Sequence, residues 1–364
     1  MRLKHVIPAL LICIFLIACS PSDTVDSKYS TKKTTHKKST KTVDLDGGSF
    51  GLLYTSSIER DAAFAVADEQ GDILSSVNFK GQGVERIGSD GKGGYLLPAT
   101  LGDDTRARID RNGKMTVAGF KYQHTFADTQ NDVQVIIYNT TMDENIMEIR
   151  KGEHVRKTTL PSLTRSALVY GKNVYVAVDA DHYSYLYIVD IKSGKIKKRV
   201  AMVNDYGAVD DMQLFQGKIV MAPSIKGNEF IDHIVIFDLK TEKMKKVFLA
   251  KDVTPQFLAV DGDTLYVSTE EGYLFKLDQN YRVQKRVKEA DDEDDHYLQQ
   301  IRVDKDYVYT LTIIPRGDNT RAGYIGVFDK QTLKKVKNID LPIMRETILK
   351  DFVLLNGKGS SLRN

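Results

Sequence analysis

An aspartate-containing turn recurs along this chain at nearly constant spacing, and no other feature constrains the fold as strongly. In the clearest copies, residues 188–196 and 236–244, an apolar segment ends in Asp and a short polar turn leads to a Lys-rich segment. The equivalent residues of the seven copies are Asp68, Asp110, Arg150, Asp190, Asp238, Asp278 and Asp329. Successive copies are 42, 40, 40, 48, 40 and 51 residues apart. A period of this length with strand-turn-strand content is typical of β-propeller blades.

Each repeat also contains a second strand-turn-strand piece. Examples are residues 167–176, 213–221, 258–267 and 301–309. Gly, Asn and Asp in their turns tolerate positive φ and favour tight hairpins, and no helical period of useful length follows residue 46. Because two hairpins provide four strands, the sequence predicts an all-β, seven-bladed β-propeller of four-stranded antiparallel blades. Eight blades is the alternative count.

The two ends of the repeat region predict how the ring closes. The first repeat begins near residues 50–54 without a clear opening hairpin, and residues 347–355 form an opening strand without a partner. Pairing the C-terminal strand with the N-terminal blade would remove two exposed sheet edges. We therefore expect the C-terminal strand to complete the first blade.

The start of the chain has the features of an export signal. Arg2 and Lys4 precede an apolar run of 13 residues, 6–18, which contains Pro8. This run is too short to span a bilayer as a helix but suits the hydrophobic region of a secretory signal. Residues 1–18 are therefore predicted to be a signal peptide.

The end of this run, Leu16-Ile17-Ala18-Cys19-Ser20, resembles the lipobox of bacterial lipoproteins. The resemblance implies cleavage before Cys19 and attachment of lipid, such as palmitate, to its thiol and amino group. Ile17 departs from the pattern, which favours a small residue there. The alternative is an ordinary signal peptide with a chance cysteine. Since the other cysteine, Cys13, would be removed with the signal, no disulfide is expected.

Residues 19–45 are predicted to be the lipidated cysteine and a flexible tether, and residues 46–364 the propeller. The tether is rich in Ser, Thr and Lys, with six lysines against three aspartates, and has too few apolar residues to fold. The predicted location is the extracytoplasmic side of a bacterial cell membrane, reached through the lipid anchor on Cys19.

The repeat strands resemble those of the YVTN and PQQ-like (quinoprotein dehydrogenase-like) propellers. Residues 174–178 and 189–195 carry the resemblance, supported by residues 265–269 and 307–310. The resemblance covers most of residues 50–355 and implies a fold. It does not imply one activity, because the family contains dehydrogenases, assembly scaffolds and many proteins of unknown role.

Basic residues cluster on the predicted last strand of four blades. They are Lys195, Lys197, Lys198 and Arg199, then Lys243, Lys245 and Lys246, then Lys285, Arg286 and Lys288, and finally Lys334, Lys335 and Lys337. Lysines on an outer strand prevent edge-to-edge sheet pairing. The chain carries a net charge of +3, but the signal contributes +2 and the tether +3, so the propeller carries −2. Nucleic-acid binding is therefore not expected.

Two groups of acidic residues are candidates for cation binding. Residues 291–296 contain five carboxylates and His296, and Asp179, Asp181 and His182 form a second group. Neither has the alternating ligand spacing of a calcium loop, so we interpret the first as a solvated loop. Weak cation or partner binding remains an alternative, and no metal site is predicted.

No catalytic arrangement is evident in the sequence. His124, His154, His182, His233 and His296 are scattered among the repeats without metal-ligand spacing. A quinone-dependent dehydrogenase is disfavoured because such enzymes use tryptophan heavily and this chain has none. No cofactor is predicted. An enzyme, either a hydrolase or a lyase with its site in the central channel, remains the alternative to a non-enzymatic protein.

Two insertions, residues 224–230 and 314–323, are predicted to join the second and third strands of their blades. Loops at these positions lie on one face of a propeller and can form a contact surface. The sequence thus predicts a non-enzymatic, monomeric binding or scaffold module for a protein, peptide or glycan partner.

Overall fold

The computed structural model describes residues 40–101, 105–119, 122–141, 144–161, 163–180, 183–202, 209–223, 231–289, 297–314 and 321–355. These residues contain thirty β-strands and no helix. Within these ranges there is accordingly no helix long and apolar enough to cross a membrane.

The strands are as follows in chain order. The first nine are β1 (Thr40–Thr42), β2 (Phe50–Thr55), β3 (Ala62–Ala67), β4 (Ile73–Phe79), β5 (Gln82–Val84), β6 (Gly88–Ser89), β7 (Tyr95–Leu101), β8 (Thr105–Ile109) and β9 (Lys114–Gly119). The next eight are β10 (Gln123–Gln130), β11 (Val133–Thr141), β12 (Glu144–Lys151), β13 (His154–Pro161), β14 (Leu163–Tyr170), β15 (Asn173–Ala180), β16 (Tyr183–Asp190) and β17 (Ile196–Ala201). The remaining strands are β18 (Val209–Phe215), β19 (Lys218–Pro223), β20 (His233–Asp238), β21 (Met244–Phe248), β22 (Pro255–Asp261), β23 (Thr264–Thr269), β24 (Tyr273–Leu277), β25 (Val283–Lys288), β26 (Tyr297–Val303), β27 (Tyr307–Ile313), β28 (Gly323–Asp329), β29 (Lys335–Leu341) and β30 (Ile348–Leu354).

Seven antiparallel sheets form the blades of a β-propeller. Blade 1 has the order β30-β2-β3-β4, and blade 2 contains β5 to β9 with β1 added beside β9. Blades 3 to 7 are β10 to β13, β14 to β17, β18 to β21, β22 to β25 and β26 to β29. The first strands of successive blades contact one another and therefore surround the centre of the ring. The predicted fold is confirmed, with seven blades.

The hydrophobic core lies between the faces of neighbouring blades. Between blades 5 and 6, for example, Phe215 and Ile236 pack against Leu265, Phe275 and Tyr281. Similar clusters fill the spaces between other pairs of blades. Each blade is consequently held by its neighbours, and the stability of one blade depends on the ring being closed.

The ring closes through the C-terminal strand, as the sequence predicted. Strand β30 pairs antiparallel with β2, so that Leu52 faces Phe352 and Phe50 faces Leu354. The side chain of Phe352 is completely buried, and its ring centroid lies 6.4 Å from that of Phe50. Strands β2 and β30, which lie near opposite ends of the described chain, therefore share one blade.

The propeller begins before the predicted boundary at residue 46. Strand β1 pairs with β9, and the N–H of Val43 donates to the carbonyl oxygen of Gly113 at 2.9 Å. Gly113 has φ +75°, and a Cβ there would lie 1.8 Å from the carbonyl oxygen of Val43. Val43 is fully buried. Residues 40–45 of the predicted tether thus pack on blade 2, because β9 would otherwise be an exposed edge.

The recurring aspartates all stabilise turns between the third and fourth strands of their blades. Asp110 Oδ1 accepts the N–H groups of Asn112 and Lys114 at 2.9 and 3.0 Å. Asp190 does the same for Ser193 at 2.8 Å, and Lys197 lies 2.9 Å from its other oxygen. The hydrogen bond from Lys197, followed by those from Ser193, lowers the pKa of Asp190. The repeat signal is therefore a local turn motif.

The basic runs lie on the outermost strands, as predicted. β17, β21, β25 and β29 each pair with only one strand of their sheet. Several of their cations lie above tyrosine rings of the same or a neighbouring blade, at 4.4 Å for Arg199 and Tyr185 and 4.9 Å for Arg286 and Tyr273. These contacts hold the charges at the rim, where they discourage edge pairing.

Candidate binding site in the central channel

The innermost strand of every blade contains a one-residue irregularity at the same level of the ring. In six blades the residue without an opposite partner is Thr125, Arg165, Asp210, Gln256, Gln299 or Lys350. In blade 2, residues 85–87 stand opposite only residues 97–98, because β5 and β6 pair with β7 on either side of the gap. A bulge interrupts the alternation of side chains and can redirect a polar group to the centre.

In five of the seven blades the residues at this irregularity line a cavity of about 450 Å³ in the central channel. This volume lies within the range of small-molecule sites. The cavity is lined by Glu85, Arg86, Ile87, Gly88, Pro98, Thr100, Leu101, Gln123, Thr125, Phe126, Ala127, Asp128, Asn139, Asp210, Asp211, Gln213, Gln256, Phe257, Gln299, Gln300, Arg302 and Asp351. It opens where first strands begin and second strands end, on the same face as the loops that join second to third strands.

Asp351 binds backbone groups of two neighbouring blades. It lies in β30 of blade 1, and its Oδ2 accepts the N–H of Ile87 in blade 2 at 2.8 Å. Its Oδ1 accepts the N–H of Phe352 at 2.7 Å and a bond from Arg302 of blade 7 at 3.0 Å. Burial raises the pKa of Asp351, and Arg302 partly opposes this effect. The residue therefore connects three successive blades.

Asp211 and Asp128 make equivalent connections. Asp211 in blade 5 accepts the N–H groups of Met212 at 2.8 Å and of Leu258, in blade 6, at 3.0 Å. Asp128 in blade 3 accepts the N–H of Ser89, in blade 2, at 2.8 Å and the side-chain amide of Gln130 at 2.8 Å. These carboxylates are buried and hold neighbouring blades together, which leaves them poorly placed to act as acids or bases.

Several other cavity side chains do not join neighbouring blades through hydrogen bonds. Arg86 is half-buried, and its Cζ lies 5.5 Å from the ring centroid of Phe257. In the part of the chain that the structure describes, Arg86 forms no ion pair and the side-chain amides of Gln213, Gln256 and Gln299 have no hydrogen-bond partner. These groups remain available to a ligand.

The predicted histidines are not brought together. His124 in β10 is completely buried, with its ring 4.9 Å from that of Tyr138. Burial, with a smaller contribution from Arg106, lowers the pKa of His124 to about 3, so it is neutral at physiological pH. His154 is exposed on β13, and His233 on β20 lies 3.0 Å from Asp232. No histidine lines the cavity among the described residues.

Several other predictions concern residues outside the described ranges. These are Cys19, the acidic segment 291–296, and Asp181 and His182. The acidic segment does join blades 6 and 7, since β25 ends before it and β26 follows it. The described residues contain no group of three or more His, Cys, Asp or Glu side chains suited to a metal ion.

The two predicted insertions do connect second and third strands. β19 ends at Pro223 and β20 begins at His233, while β27 ends at Ile313 and β28 begins at Gly323. The loop residues 224–230 and 315–320 are outside the described ranges. Their flanking strand ends lie on the face where the cavity opens.

Comparison with known proteins supports the fold. No protein family profile matches the chain, and no curated protein sequence matches it. Among solved structures it is similar to hydrazine synthase of Kuenenia stuttgartiensis, with 13% identity over 84% of this chain and 100% of that one and a TM-score of 0.58.

Two further structures are comparably similar. For apo AztD from Citrobacter koseri the identity is 12%, the coverage 84% of this chain and 97% of that one, and the TM-score 0.53. For BamB from Moraxella catarrhalis the identity is 12%, the coverage 82% and 87%, and the TM-score 0.50. At such identities the likeness supports a β-propeller fold alone.

Proposed function

We propose that this chain is a lipid-anchored β-propeller that acts outside the bacterial cytoplasmic membrane as a non-enzymatic binding module. Its partner is a protein, peptide or glycan that is recognised on the face where the central cavity opens. The anchor is lipid on Cys19. The propeller is of the YVTN and PQQ-like kind that its repeat strands resemble.

The observation that supports binding over catalysis is that three of the channel carboxylates are used to hold the blades together. The carboxylates Asp128, Asp211 and Asp351 are bonded to backbone N–H groups of adjacent strands. The other cavity groups include Glu85 and Asp210, but most are amides and a guanidinium, which recognise polar molecules and are poor general acids or bases at neutral pH.

An enzyme of the hydrolase or lyase class receives less support. One similar structure is a hydrazine synthase, so the fold is compatible with catalysis. A general base requires a titratable group within reach of its substrate. Asp351, whose pKa is raised by burial, accepts bonds at both oxygens.

Crosslinking in intact cells followed by purification of the anchored protein tests this function. We expect a specific partner with the wild type and its loss in the double variant Gln256→Ala/Gln299→Ala. The matched control is Arg286→Gln at the rim, which should retain the partner. Partner capture that is unaffected by the double variant would place binding elsewhere, and turnover of the captured molecule would favour the enzyme.

The anchor is tested by Cys19→Ala. We expect the variant either to be released from the membrane or to remain as an uncleaved precursor, since a lipidated cysteine is its proposed attachment. Detergent partitioning and mass measurement distinguish these states. A variant that stays in the membrane fraction at mature size would contradict the assignment.

A further inference from the structure

Arg86 is the cavity group that most restricts the identity of a ligand. It lies in the gap between β5 and β6, half-buried, with Phe257 of the opposite side of the ring beneath its guanidinium. It forms no ion pair with the described residues. Its charge, together with that of Arg302, opposes the rise in the pKa of Asp351 that burial causes, and its planar donors still fit a ligand carboxylate in a bidentate pair.

Three amides complement this charge. Gln213, Gln256 and Gln299 come from the consecutive blades 5, 6 and 7 and line the same cavity as Arg86. Each side-chain amide offers two donors and an acceptor. Groups that both donate and accept, such as hydroxyls, can satisfy such amides from more than one direction.

The other cavity residues limit the charge and size of the ligand. Five carboxylates, Glu85, Asp128, Asp210, Asp211 and Asp351, share the cavity with two arginines. A ligand with several negative charges, such as a phosphate dianion, would be repelled, whereas one carboxylate can be neutralised by Arg86. The apolar wall is confined mainly to Phe126 and Phe257 with a few aliphatic groups, which suits a compact ring better than a peptide with large side chains.

We propose that the central channel binds a sugar acid, a hydroxylated ring that carries one carboxylate, either free or as part of an acidic oligosaccharide. The carboxylate pairs with Arg86, and the hydroxyls bond to Gln213, Gln256 and Gln299. This assignment rests on the proposed binding function and specifies its ligand class.

Isothermal titration of the full chain in detergent, using a charge series of sugars, tests the proposal. The probes are glucuronate, galacturonate and mannuronate, their short oligomers, neutral glucose and glucose 6-phosphate. We expect at least one uronate or its oligomer to bind roughly tenfold to a hundredfold more tightly than glucose, since a charge-assisted hydrogen-bonded pair accounts for that difference. Glucose 6-phosphate should bind more weakly than the uronate.

The variants show whether Arg86 is responsible. Arg86→Gln should lose the preference for the uronate, Arg86→Lys should restore part of it, and Arg286→Gln at the rim should leave it unchanged. Gln256→Ala/Gln299→Ala should weaken uronate and glucose by similar factors. Thermal unfolding of each variant confirms that it is folded.

The outcomes separate this proposal from the proposed function. Absence of binding by every uronate, or an Arg86→Gln variant with unchanged uronate preference, overturns the sugar-acid site. If the cellular crosslinking still captures a partner in that case, only the ligand class is wrong. If a uronate oligomer binds through Arg86 and is cleaved, the sugar-acid site stands and the non-enzymatic function is overturned.

Discussion

The centre and the rim of the propeller both carry charged residues, but they use them in opposite ways. At the centre, Asp351 is buried and bonded to backbone groups of blades 1 and 2 and to Arg302 of blade 7. At the rim, Lys198 and Glu242 form an ion pair in which both side chains are about half exposed. When one member of a buried pair is removed, the polar groups that bonded to it have no water to replace it. At the rim, solvent takes the place of the lost partner. The same residue types should therefore differ several-fold in their effect on stability.

The largest expected effect comes from removing the innermost strand of blade 1. Truncation after Glu346 deletes Leu349, Phe352 and Val353, which are all buried. Each contributes about 1.5–3 kcal/mol, and the total approaches the stability of a typical domain, about 5–15 kcal/mol. Circular dichroism should show the loss of cooperative thermal unfolding. Deletion of only residues 357–364 is the control, and an unchanged midpoint in the longer truncation would refute closure by β30.

Asp351→Ala should have the next largest effect. It removes the acceptor of the bonds from Arg302 and from the N–H of Ile87, and breaking a buried ion pair in this way costs about 3–5 kcal/mol. Urea unfolding measures the change. The matched rim variant is Asp340→Ala on the outer strand β29, whose carboxylate is mostly exposed and lies 2.8 Å from Arg321, and it should cost less than about 1 kcal/mol. Equal losses in the two variants would contradict the contrast between centre and rim.

His124 should make the domain sensitive to acid. Its pKa is lowered to about 3 in the folded state, whereas in the unfolded chain it is about 6.5. The unfolded state therefore binds the proton first, and stability falls as the pH drops below 6.5, by about 2 kcal/mol at pH 5.

Urea unfolding at pH 7 and pH 5 tests this dependence. His124→Gln should lose less stability between the two values than the wild type, although His233, whose pKa is also lowered by burial, remains. His154→Gln, on the exposed side of β13, is the control. An identical pH dependence in all three proteins would show that His124 does not titrate in this way.

The smallest effect is expected from charge reversal at the rim. Lys197, Lys198, Lys245 and Lys246 changed to Glu should each cost less than about 1 kcal/mol, because glutamate also discourages edge pairing. Binding of the wild-type protein to a polyanion should be absent at physiological salt. A salt-dependent affinity for nucleic acid that the reversed variant loses would instead give these lysines a binding role.

The parts of this fold that could be predicted from the sequence depend on local signals. Asp110 and Asp278 bind backbone groups within four residues, so their turns are visible in a short window. The outer lysines follow at a constant distance from these turns. The closing strand was predictable because residues 347–355 had no partner in their own repeat.

The channel could not be predicted in this way. Arg86, Gln213, Gln256 and Gln299 come from four blades and line one cavity, at the level where each of these inner strands has a one-residue irregularity. A bulge does not change the amino-acid composition of a strand, and it cannot be recognised where polar and apolar residues alternate only weakly. The docking of β1 was missed for a related reason, because Val43 is a single apolar residue in a polar segment.

The position of β1 has a mechanical consequence. The chain runs from β1 directly into β2, the strand that holds β30 in the ring. Tension applied before Thr40 is taken first by the three residue pairs between β1 and β9 and by Val43 in its pocket. This short attachment is expected to yield before the rest of the ring does. A pull can detach β1 while the seam between β2 and β30 stays closed, so the ring is shielded from force applied at its N-terminal end.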